Sequence, residues 1–417
     1  MVQENQAINV GIGFATGRKS FQRVLKTYAY NFMESGLTEK KAVHLDVFVA
    51  YDLKYNNTQR SDYTNISKRV STLIDDVYFI GNNTIQNDID ELIAFGVIDE
   101  QSANTLFRSG YAGKRNAVLY NAIKHGIDYL LFLDDDEYPL AVTHTRAYAV
   151  WSGQQVLSMH LNHIIDADVT NGHHCGYISP IPHIEYGDIL SETDFRTFIE
   201  AISNDILNWN NIKRVIERGG ITYADTNVLI SEDPITVFEQ KGTKFITGAN
   251  LCLNLTKPER VFPFYNPPSA RGEDTFLSTL LSDRTVLRVP SYTFHDGFST
   301  YMHIMDGVLP NKLARICPDD KKIIARFNKA CIGWIRYKPL LLYITDNEHY
   351  NDRIIEMREK LQQTLPKICA YFNDDSFMKI MDELERYNRN VRKHYQQFQQ
   401  AQNAWSNVCL YLKEKQS

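Results

Sequence analysis

Short apolar runs alternate with amphipathic segments over the first 140 residues of the chain. Continuous apolar runs of this kind are typical of strands buried on both faces of a parallel sheet. The pattern predicts strands at Ile8–Phe14, Val43–Tyr51, Val77–Ile80 and Tyr129–Leu133. It predicts helices at Phe21–Met33, Asp88–Phe95 and Lys114–His125. Repeated strand–helix units give parallel strands with right-handed crossovers, so this part of the chain predicts an α/β fold.

The alternation weakens after residue 140 and returns near residue 244. Over this middle part the pattern predicts an extended segment at Asp168–Ile181, one helix at Phe195–Arg218, a strand at Lys244–Leu255 interrupted by Gly248, a helix from Asp274, and strands at Val286–Pro290 and Tyr292–His295. We therefore divide the α/β part into two halves, residues 1–140 and residues 141–318.

Residues 319–417 are charged and helical in pattern, which predicts a C-terminal helical module. One amphipathic helix carries Ile354, Met357, Leu361 and Leu365, and Pro366 is expected to end it. A second apolar stripe, from Phe377 to Leu412, predicts one long helix with a narrow apolar seam. The stripe suits packing back onto the core, contact between copies of the chain in a homo-oligomer, or docking on a membrane surface.

Composition narrows the classes of partner. The chain has 417 residues, a net charge of -5 and 43% hydrophobic residues, which is ordinary for a globular protein and gives no support to nucleic-acid binding. We find no apolar run long enough to span a bilayer and no signal-peptide pattern at the polar N-terminus. The six cysteines form no C-x-x-C pair and suit free thiols in a reducing compartment. We expect a cytoplasmic protein, with contact at the inner face of a membrane as the alternative.

The most informative segment is the apolar run Tyr129–Leu133, which leads directly into Asp134, Asp135, Asp136 and Glu137. Acids at the tip of a parallel strand lie at the carboxyl edge of the sheet, where open α/β folds bind ligands. Adjacent carboxylates repel one another unless a positive group lies between them. A divalent cation shared with a phosphate would supply that charge. A solvated acidic turn is the alternative explanation.

Three further motifs accompany the acidic segment along the chain. They are Gly113-Lys114-Arg115-Asn116, Arg271-Gly272-Glu273-Asp274-Thr275 and Phe294-His295-Asp296-Gly297. The order and spacing of these motifs resemble the glycosyltransferases of the GT-A fold, and the inverting bacterial family 2 in particular. The resemblance covers roughly residues 7–300. It implies a Rossmann-like, mostly parallel sheet flanked by helices, and transfer of a sugar from a nucleotide-diphosphate donor to a saccharide or glycan hydroxyl.

The resemblance also implies a metal centre with Mn²⁺ or Mg²⁺. Asp136 corresponds to the direct metal ligand, Asp134 to a contact with ribose or a metal-bound water, and Asp135 to the middle position. His295 would complete the site through a ring nitrogen, which favours manganese slightly. A hydrogen-bonded loop histidine is the alternative for His295.

In inverting relatives the second acid of the Glu-Asp pair removes the proton of the acceptor hydroxyl. That position is Asp274 here, with Glu273 as a positioning or acceptor-binding group. Asp274 also suits the N-cap of the helix that follows, as an alternative or additional role. A retaining enzyme needs no such base, so a retaining glycosyltransferase of the same fold is the nearest rival.

Donor recognition is expected at the ends of the first strands. The predicted nucleotide contacts are Ala15, Thr16, Gly17, Asp52, Lys114, Arg115, Asp134 and Asp135, with Arg115 meeting phosphate. A UDP-sugar is favoured over a GDP-sugar. The chain departs from the family at the first two strand ends, with Phe14-Ala15-Thr16-Gly17-Arg18 and Tyr51-Asp52-Leu53-Lys54, which leaves the base open. The predicted sugar contacts are Gly248, Ala249, Asn250 and Trp151.

Two rival functions share these features. A sugar nucleotidyltransferase also needs acids, metal and an α/β sheet, but its glycine-rich phosphate loop is incomplete here, with Gly11, Gly13 and Gly17 present. A sugar-binding protein with a degenerate site is the rival outside enzymes, and the intact acids argue against it.

Overall fold

The computed structural model describes residues 7–37, 43–146, 148–203 and 209–416. Within them a mixed, mostly parallel sheet is flanked by helices and followed by a C-terminal helical region, which confirms the predicted fold class at that level. The strands are β1 Ile8–Thr16, β2 Val43–Tyr51, β3 Asp76–Ile80, β4 Tyr129–Leu133, β5 Glu137–Tyr138, β6 Leu140–His144, β7 Ala149–Gly153, β8 Val169–Gly176, β9 Ile235–Thr236, β10 Leu251–Asn254 and β11 Val286–His295.

Helices cover both faces of this sheet and build the C-terminal region. They are α1 Phe21–Glu34, α2 Ser61–Thr64, α3 Lys68–Ser71, α4 Asn82–Ala94, α5 Glu100–Phe107, α6 Tyr111–Lys124, α7 Val156–Ile164, α8 Glu192–Ile202, α9 Trp209–Glu217, α10 Thr226–Leu229, α11 Glu273–Ser278, α12 Lys321–Thr345, α13 Tyr350–Phe372, α14 Lys379–Arg389 and α15 Val391–Gln416. Short 3-10 helices lie at Pro258–Arg260, Met302–Asp306 and Asp375–Met378. None of these described helices has the length and apolar character that crossing a membrane requires.

The strand order is β3-β2-β1-β4-β10-β8-β11-β5, with β9 paired to β11 and with β6 and β7 as a separate hairpin. Strands β1 to β4 are parallel, and the chain moves outward from β1 to β3 before it crosses back to β4 on the other side of β1. The order therefore reverses between β1 and β4. The crevice outside the carboxyl ends of the strands at such a reversal is where open α/β sheets bind ligands.

The strands β1, β2 and β4 could be predicted from their apolar runs because most of their residues are buried. All five residues of β4 are buried, as are the last seven of β1 and of β2. Helix α6 begins three residues before the prediction and ends at Lys124, and Gly126 then adopts φ +70, the left-handed conformation that favours glycine after a helix.

Two predicted helices are divided in the structure. The single helix expected over Phe195–Arg218 is wrong, because α8 ends at Ile202 and Ser203 is extended; the expected span also crosses residues 204–208, which lie outside the described residues. The single helix expected from Phe377 to Leu412 is also wrong. It is a 3-10 turn followed by α14 and α15, which Asn390 separates.

Pro366 was expected to end a helix and does not. Helix α13 continues through it to Phe372, so Leu361, Leu365, Ile368 and Cys369 are buried along one continuous face. Burial of that face outweighs the backbone hydrogen bond that proline cannot make. The seam of α15 is likewise buried in one core cluster with α5 and α6, which confirms the expectation that the C-terminal helices pack onto the α/β core.

An ion pair ties the sheet to its connections far from the acidic strand tip. Asp168 accepts two hydrogen bonds from Arg260, at 2.6 and 2.9 Å, and a third from the backbone N–H of Thr285 at 2.8 Å. Burial alone would raise the pKa of Asp168, but these donors outweigh it and lower the pKa. The stability contribution is therefore present above the unfolded-state value near 4 and is lost as the pH falls through the folded-state pKa.

We expect Asp168→Asn to lower the free energy of unfolding at pH 7 by about 1–3 kcal/mol, the range for hydrogen bonds to a charged group. Urea unfolding at pH 7 and at pH 3 measures it. The deficit of the variant should shrink at pH 3, and a deficit of equal size at both values would contradict the assignment.

Candidate functional site

The end of β1 meets the acids that follow β4. Thr16 donates a hydrogen bond to Asp135 at 2.5 Å and accepts one from the backbone N–H of Arg18 at 3.3 Å. The Arg18 guanidinium lies 3.3 Å from Asp135 and 2.7 Å from Asp136. The predicted crevice at the strand-order reversal is therefore lined by acids held in place by β1.

Asp136 is the most strongly negative group of the cluster. Its carboxylate is almost fully buried between Arg18 and His295, whose Nε2 lies 3.3 Å away. Burial opposes ionisation, but His295 and Arg18 outweigh it and hold the pKa of Asp136 well below its usual range. Burial likewise lowers the pKa of His295, yet Asp136 outweighs that effect and raises the pKa to about 9. Burial raises the pKa of the neighbouring Asp135 to about 7, with Arg18 as the main opposing charge.

The predicted metal ligands fit an ion in part. Two ligands bound at right angles at about 2.1 Å from one ion lie about 3 Å apart, and the 3.3 Å between the Asp136 Oδ2 and the His295 Nε2 is close to this value. The Arg18 Nη1 contacts the same carboxylate oxygen, so an ion would have to displace it. Asp134 is turned away towards Arg115, at 3.0 Å. Asp136 and His295 therefore suit two positions of a metal centre, and Asp134 lies outside them in this arrangement.

A different trio has its ligand atoms closer together. Within the described ranges, His44, Asp46 and Asp76 place one atom each within 4.8 Å of one another. They lie at the start of β2 and of β3, which is the opposite edge of the sheet from the acidic strand tip. This trio is separate from the crevice at the carboxyl ends of the strands.

Arg115 connects two motifs that are far apart in sequence. Its guanidinium lies 3.0 Å from Asp134 and 3.6 Å from Glu273, and it donates a hydrogen bond of 2.5 Å to the carbonyl of Gly248. The side chain is only 3% exposed and also stacks between Phe132 and Phe264. Arg115 therefore orders the acids around it, a contact different from the phosphate that the sequence predicted.

Asp274 lies beside the same arginine at the start of α11. Gly272 occupies the N-cap of α11 with φ +95, so the expectation that Asp274 caps the helix is wrong. The Asp274 carboxylate accepts a hydrogen bond from its neighbour Thr275 at 2.8 Å. Burial raises the pKa of Asp274, and this hydrogen bond and Arg115 only partly oppose the rise. A carboxylate with a raised pKa is a better proton acceptor than an ordinary one.

Gly248 separates Arg115 from Asp274. A Cβ at Gly248 would lie 3.1 Å from the Arg115 Nη2 and 3.6 Å from the Asp274 Cβ, so a side chain would crowd both groups. Ala249 is buried beside it. The structure brings Gly248 and Ala249 to the acids, as the sequence predicted for a wall of the sugar pocket, and their contact with sugar stays a prediction.

The predicted nucleotide contacts Asp52 and Lys114 lie together at the end of β2. Lys114 Nζ is 3.7 Å from the Asp52 carboxylate and donates a hydrogen bond to the carbonyl of Tyr51 at 3.2 Å. The backbone N–H of Asp52 donates to the carbonyl of Thr16 at 2.9 Å, which joins this pair to the end of β1. The strand ends at β1, β2 and β4 thus form one continuous edge.

Two predicted sugar contacts have other partners. The Asn250 side chain is fully buried; its Oδ1 accepts a hydrogen bond from the His160 Nε2 at 2.8 Å, and its Nδ2 donates to the carbonyls of His173 and Ser291. The Trp151 indole lies on β7 and donates to the carbonyl of Pro310 at 2.8 Å. Asn250 therefore supports the core, and the structure does not bring Trp151 to the acids that Arg115 orders.

Lys114 and Arg115 were predicted from the sequence as cations of the site, but Arg18 was missed. Arg18 contacts both Asp135 and Asp136, and the only available signal was its place two residues after a strand that ends at the same edge. Glu137, at the end of the acidic run, is buried, accepts a hydrogen bond from the Thr293 hydroxyl at 2.6 Å and lies 3.2 Å from the His174 Nδ1, so it contacts β8 and β11.

Comparison with protein-family models finds no match for the chain, and comparison with curated proteins finds none either. The functional conclusion therefore depends on the site itself.

Proposed function

We propose that the chain is a glycosyltransferase of the GT-A fold that uses a divalent metal and moves a sugar from a nucleotide-diphosphate donor to a saccharide or glycan hydroxyl, with inversion. The donor is a nucleotide sugar, with a uridine diphosphate favoured over a guanosine diphosphate. The crevice between the ends of β1 and β4 would hold the nucleotide and its diphosphate, and the start of α11 would face the sugar and the acceptor.

The observation that supports this most strongly is the contact made by Arg115. It joins Asp134, directly after β4, to Glu273 at the start of α11, although the two are separated by more than a hundred residues of chain. Two acidic motifs that the resemblance assigns to donor and acceptor chemistry are therefore neighbours in space. A merely solvated acidic turn would not need a buried arginine between two such motifs.

In the proposed reaction Asp274 accepts the proton of the acceptor hydroxyl while that oxygen bonds to the anomeric carbon. The bond from this carbon to the diphosphate oxygen breaks, and its electron pair leaves with the diphosphate. Arg115 holds Glu273 and the Gly248 turn in place around the reacting atoms. A bound Mn²⁺ or Mg²⁺ would stabilise the charge on the leaving diphosphate, and Asp136 and His295 are the residues that would hold it.

The donor class can be tested without knowledge of the sugar. We expect one of the uridine, guanosine, cytidine or thymidine diphosphates to raise the thermal unfolding midpoint in the presence of Mn²⁺. Occupancy at 100 times Kd stabilises by about 2.7 kcal/mol. Differential scanning fluorimetry of the full chain, with Mn²⁺ or with EDTA, gives the measurement.

Asp136→Asn is the matched variant, because it removes the charge that holds His295 and Arg18. It should abolish the Mn²⁺-dependent part of the shift. A nucleotide that stabilises the wild type equally in EDTA would show that Arg18 already neutralises the acids, and the metal requirement would then be wrong. Absence of a shift with all four nucleotides would overturn the donor class.

A further inference from the structure

Helix α12 of the C-terminal region packs against two segments of the candidate site. Tyr337 lies 3.0 Å from the position of a Cβ at Gly272, immediately before Glu273, and Gly333 packs on the side chain of Arg271. About two turns before Gly333 on α12, Arg326 reaches the loop after β11. A Cβ at Gly297 would lie 2.9 Å from the Arg326 Nη2 and 3.1 Å from the His295 Cε1. The C-terminal module therefore contacts the site at Gly272 and at the loop after β11.

Arg326 is a cation without an anionic partner among the described residues. Its guanidinium stacks on the Phe298 ring at 4.5 Å, and its Nε is buried with no hydrogen-bond acceptor. Burial lowers the pKa of Arg326, Arg18 and Arg271 add to the lowering, and Asp136 opposes it. Arg326 therefore lies within electrostatic range of two other arginines and of the acid at the strand tip.

Arg271, in the segment just before α11, is a second cation near the candidate site. It is exposed, lies over the Tyr111 ring at 5.8 Å, and forms no ion pair with any residue that the structure describes. Tyr111 in turn stacks edge-on with Tyr55, which packs against Gly17 after β1. Arg18 and Arg271 both lie within electrostatic range of Arg326, and among these three arginines the described ion pairs with Asp135 and Asp136 are made by Arg18.

Like charges held close together, with a buried N–H lacking an acceptor, favour a multiply charged anion between them. A diphosphate carries two or three negative charges and presents pairs of oxygens that guanidinium groups bind in a bidentate manner. A single carboxylate would satisfy one arginine and leave the other unpaired.

We propose that Arg326 and Arg271 bind the diphosphate of the nucleotide donor and of the nucleotide product, so that α12 forms one wall of the donor site. This rests on the glycosyltransferase function proposed above for the choice of a nucleotide as the source of the diphosphate. It assigns the C-terminal module a part in donor binding that neither its charged pattern nor its apolar seam indicated.

The experiment is isothermal titration of the full-length protein with inorganic pyrophosphate in EDTA, and then with uridine diphosphate. We expect Arg326→Gln and Arg271→Gln each to weaken pyrophosphate binding at least about tenfold, since each removes a charge-assisted contact. Arg326→Lys keeps the charge and should recover part of the affinity. Arg392→Gln is the matched control, because Arg392 is exposed on α15, and it should bind within about twofold of the wild type.

Unfolding midpoints of the variants in the absence of ligand exclude a general loss of structure. Pyrophosphate affinity of Arg326→Gln within twofold of the wild type would overturn the proposal, as would a wild-type protein that binds no pyrophosphate. If both glutamine variants lost affinity for pyrophosphate but the wild type did not bind uridine diphosphate, the site would bind a diphosphate that does not come from this nucleotide. The titration does not measure turnover, so its result stands whether or not sugar transfer is observed, and failure of the two proposals can be told apart.

Discussion

Asp274→Asn is expected to abolish sugar transfer while leaving nucleotide binding nearly unchanged. The amide keeps the size of the carboxylate but cannot accept the acceptor proton, and removal of a general base typically costs about 10²–10⁴-fold in rate. Asp274 lies beside Arg115 and Gly248, whereas Asp136 and His295 contact each other and Arg18, so the donor end should be unaffected. Rates of donor consumption at saturating donor, and the Mn²⁺-dependent thermal shift with the diphosphate, measure the two effects.

Glu273→Gln is the matched comparison for this variant. Glu273 is the adjacent carboxylate, and it faces Arg115 at 3.6 Å, so its loss should disturb the arrangement without removing the base. We expect the rate of sugar transfer to fall less than in Asp274→Asn, by about tenfold. Glu273→Asp should restore part of that rate. If Glu273→Gln were inactive and Asp274→Asn active, Glu273 would be the general base and Asp274 the positioning group.

Full activity in both variants would favour the retaining glycosyltransferase, which needs no base. The two remaining rivals give different products. A nucleotidyltransferase would release pyrophosphate from a nucleoside triphosphate and a sugar phosphate, and a sugar-binding protein would show binding across donors without turnover. The buried ion pairs at Asp136 and Arg115 do not distinguish these rivals, because each of them binds an anion at the same edge.

The sequence was most informative where burial is continuous along the chain. The run Tyr129–Leu133 is typical of a strand buried on both faces, and acids directly after a parallel strand lie at the carboxyl edge. The acids Asp134 to Asp136 and the strand end at Thr16 were placed together for this reason, and the structure has Thr16 bonded to Asp135. The local sequence therefore indicates where a strand lies and which residues fall at its carboxyl end.

Contacts between distant segments could not be predicted in this way. Arg18 contacts Asp136 and Arg326 lies within electrostatic range of it, but one comes from the loop after β1 and the other from the C-terminal module. Charged residues on surface helices and in loops are common, and nothing in their local pattern distinguishes a site residue from a solvated one. The side-chain direction of Asp134, towards Arg115 and away from Asp136, is likewise a tertiary result.

The errors in the C-terminal region have a related cause. Pro366 ends a helix by local rules, yet α13 continues because the residues on either side of it are buried along one face. The apolar stripe from Phe377 to Leu412 is continuous in sequence, yet the chain turns at Asn390. Local propensity and periodicity indicate which face is apolar, and tertiary packing decides where a helix begins and ends.

Arg115→Met is expected to be among the most destabilising single changes in the chain. Methionine fills a similar volume between Phe132 and Phe264, so packing is largely kept, while Asp134 and Glu273 lose their buried cation. Removing one partner of a buried ion pair costs about 3–5 kcal/mol, because it leaves an uncompensated charge away from water. Denaturant unfolding of the full chain at pH 7 measures the loss.

Lys114→Met is the neighbouring control on α6, since Lys114 is also largely buried but, among the described residues, pairs with a single carboxylate, Asp52, at 3.7 Å, and donates to the Tyr51 carbonyl. Its loss should be smaller, about 1–2 kcal/mol. The loss of charge at Arg115 can be separated from the loss of packing by neutralising an acid that Arg115→Met leaves without its cation. If Arg115 acts through charge, Asp134→Asn combined with Arg115→Met should be more stable than the sum of the two single effects predicts, by about 1 kcal/mol or more. Strict additivity would mean that Arg115 stabilises the site through its aromatic contacts, and the link between the two acidic motifs would lose its electrostatic basis.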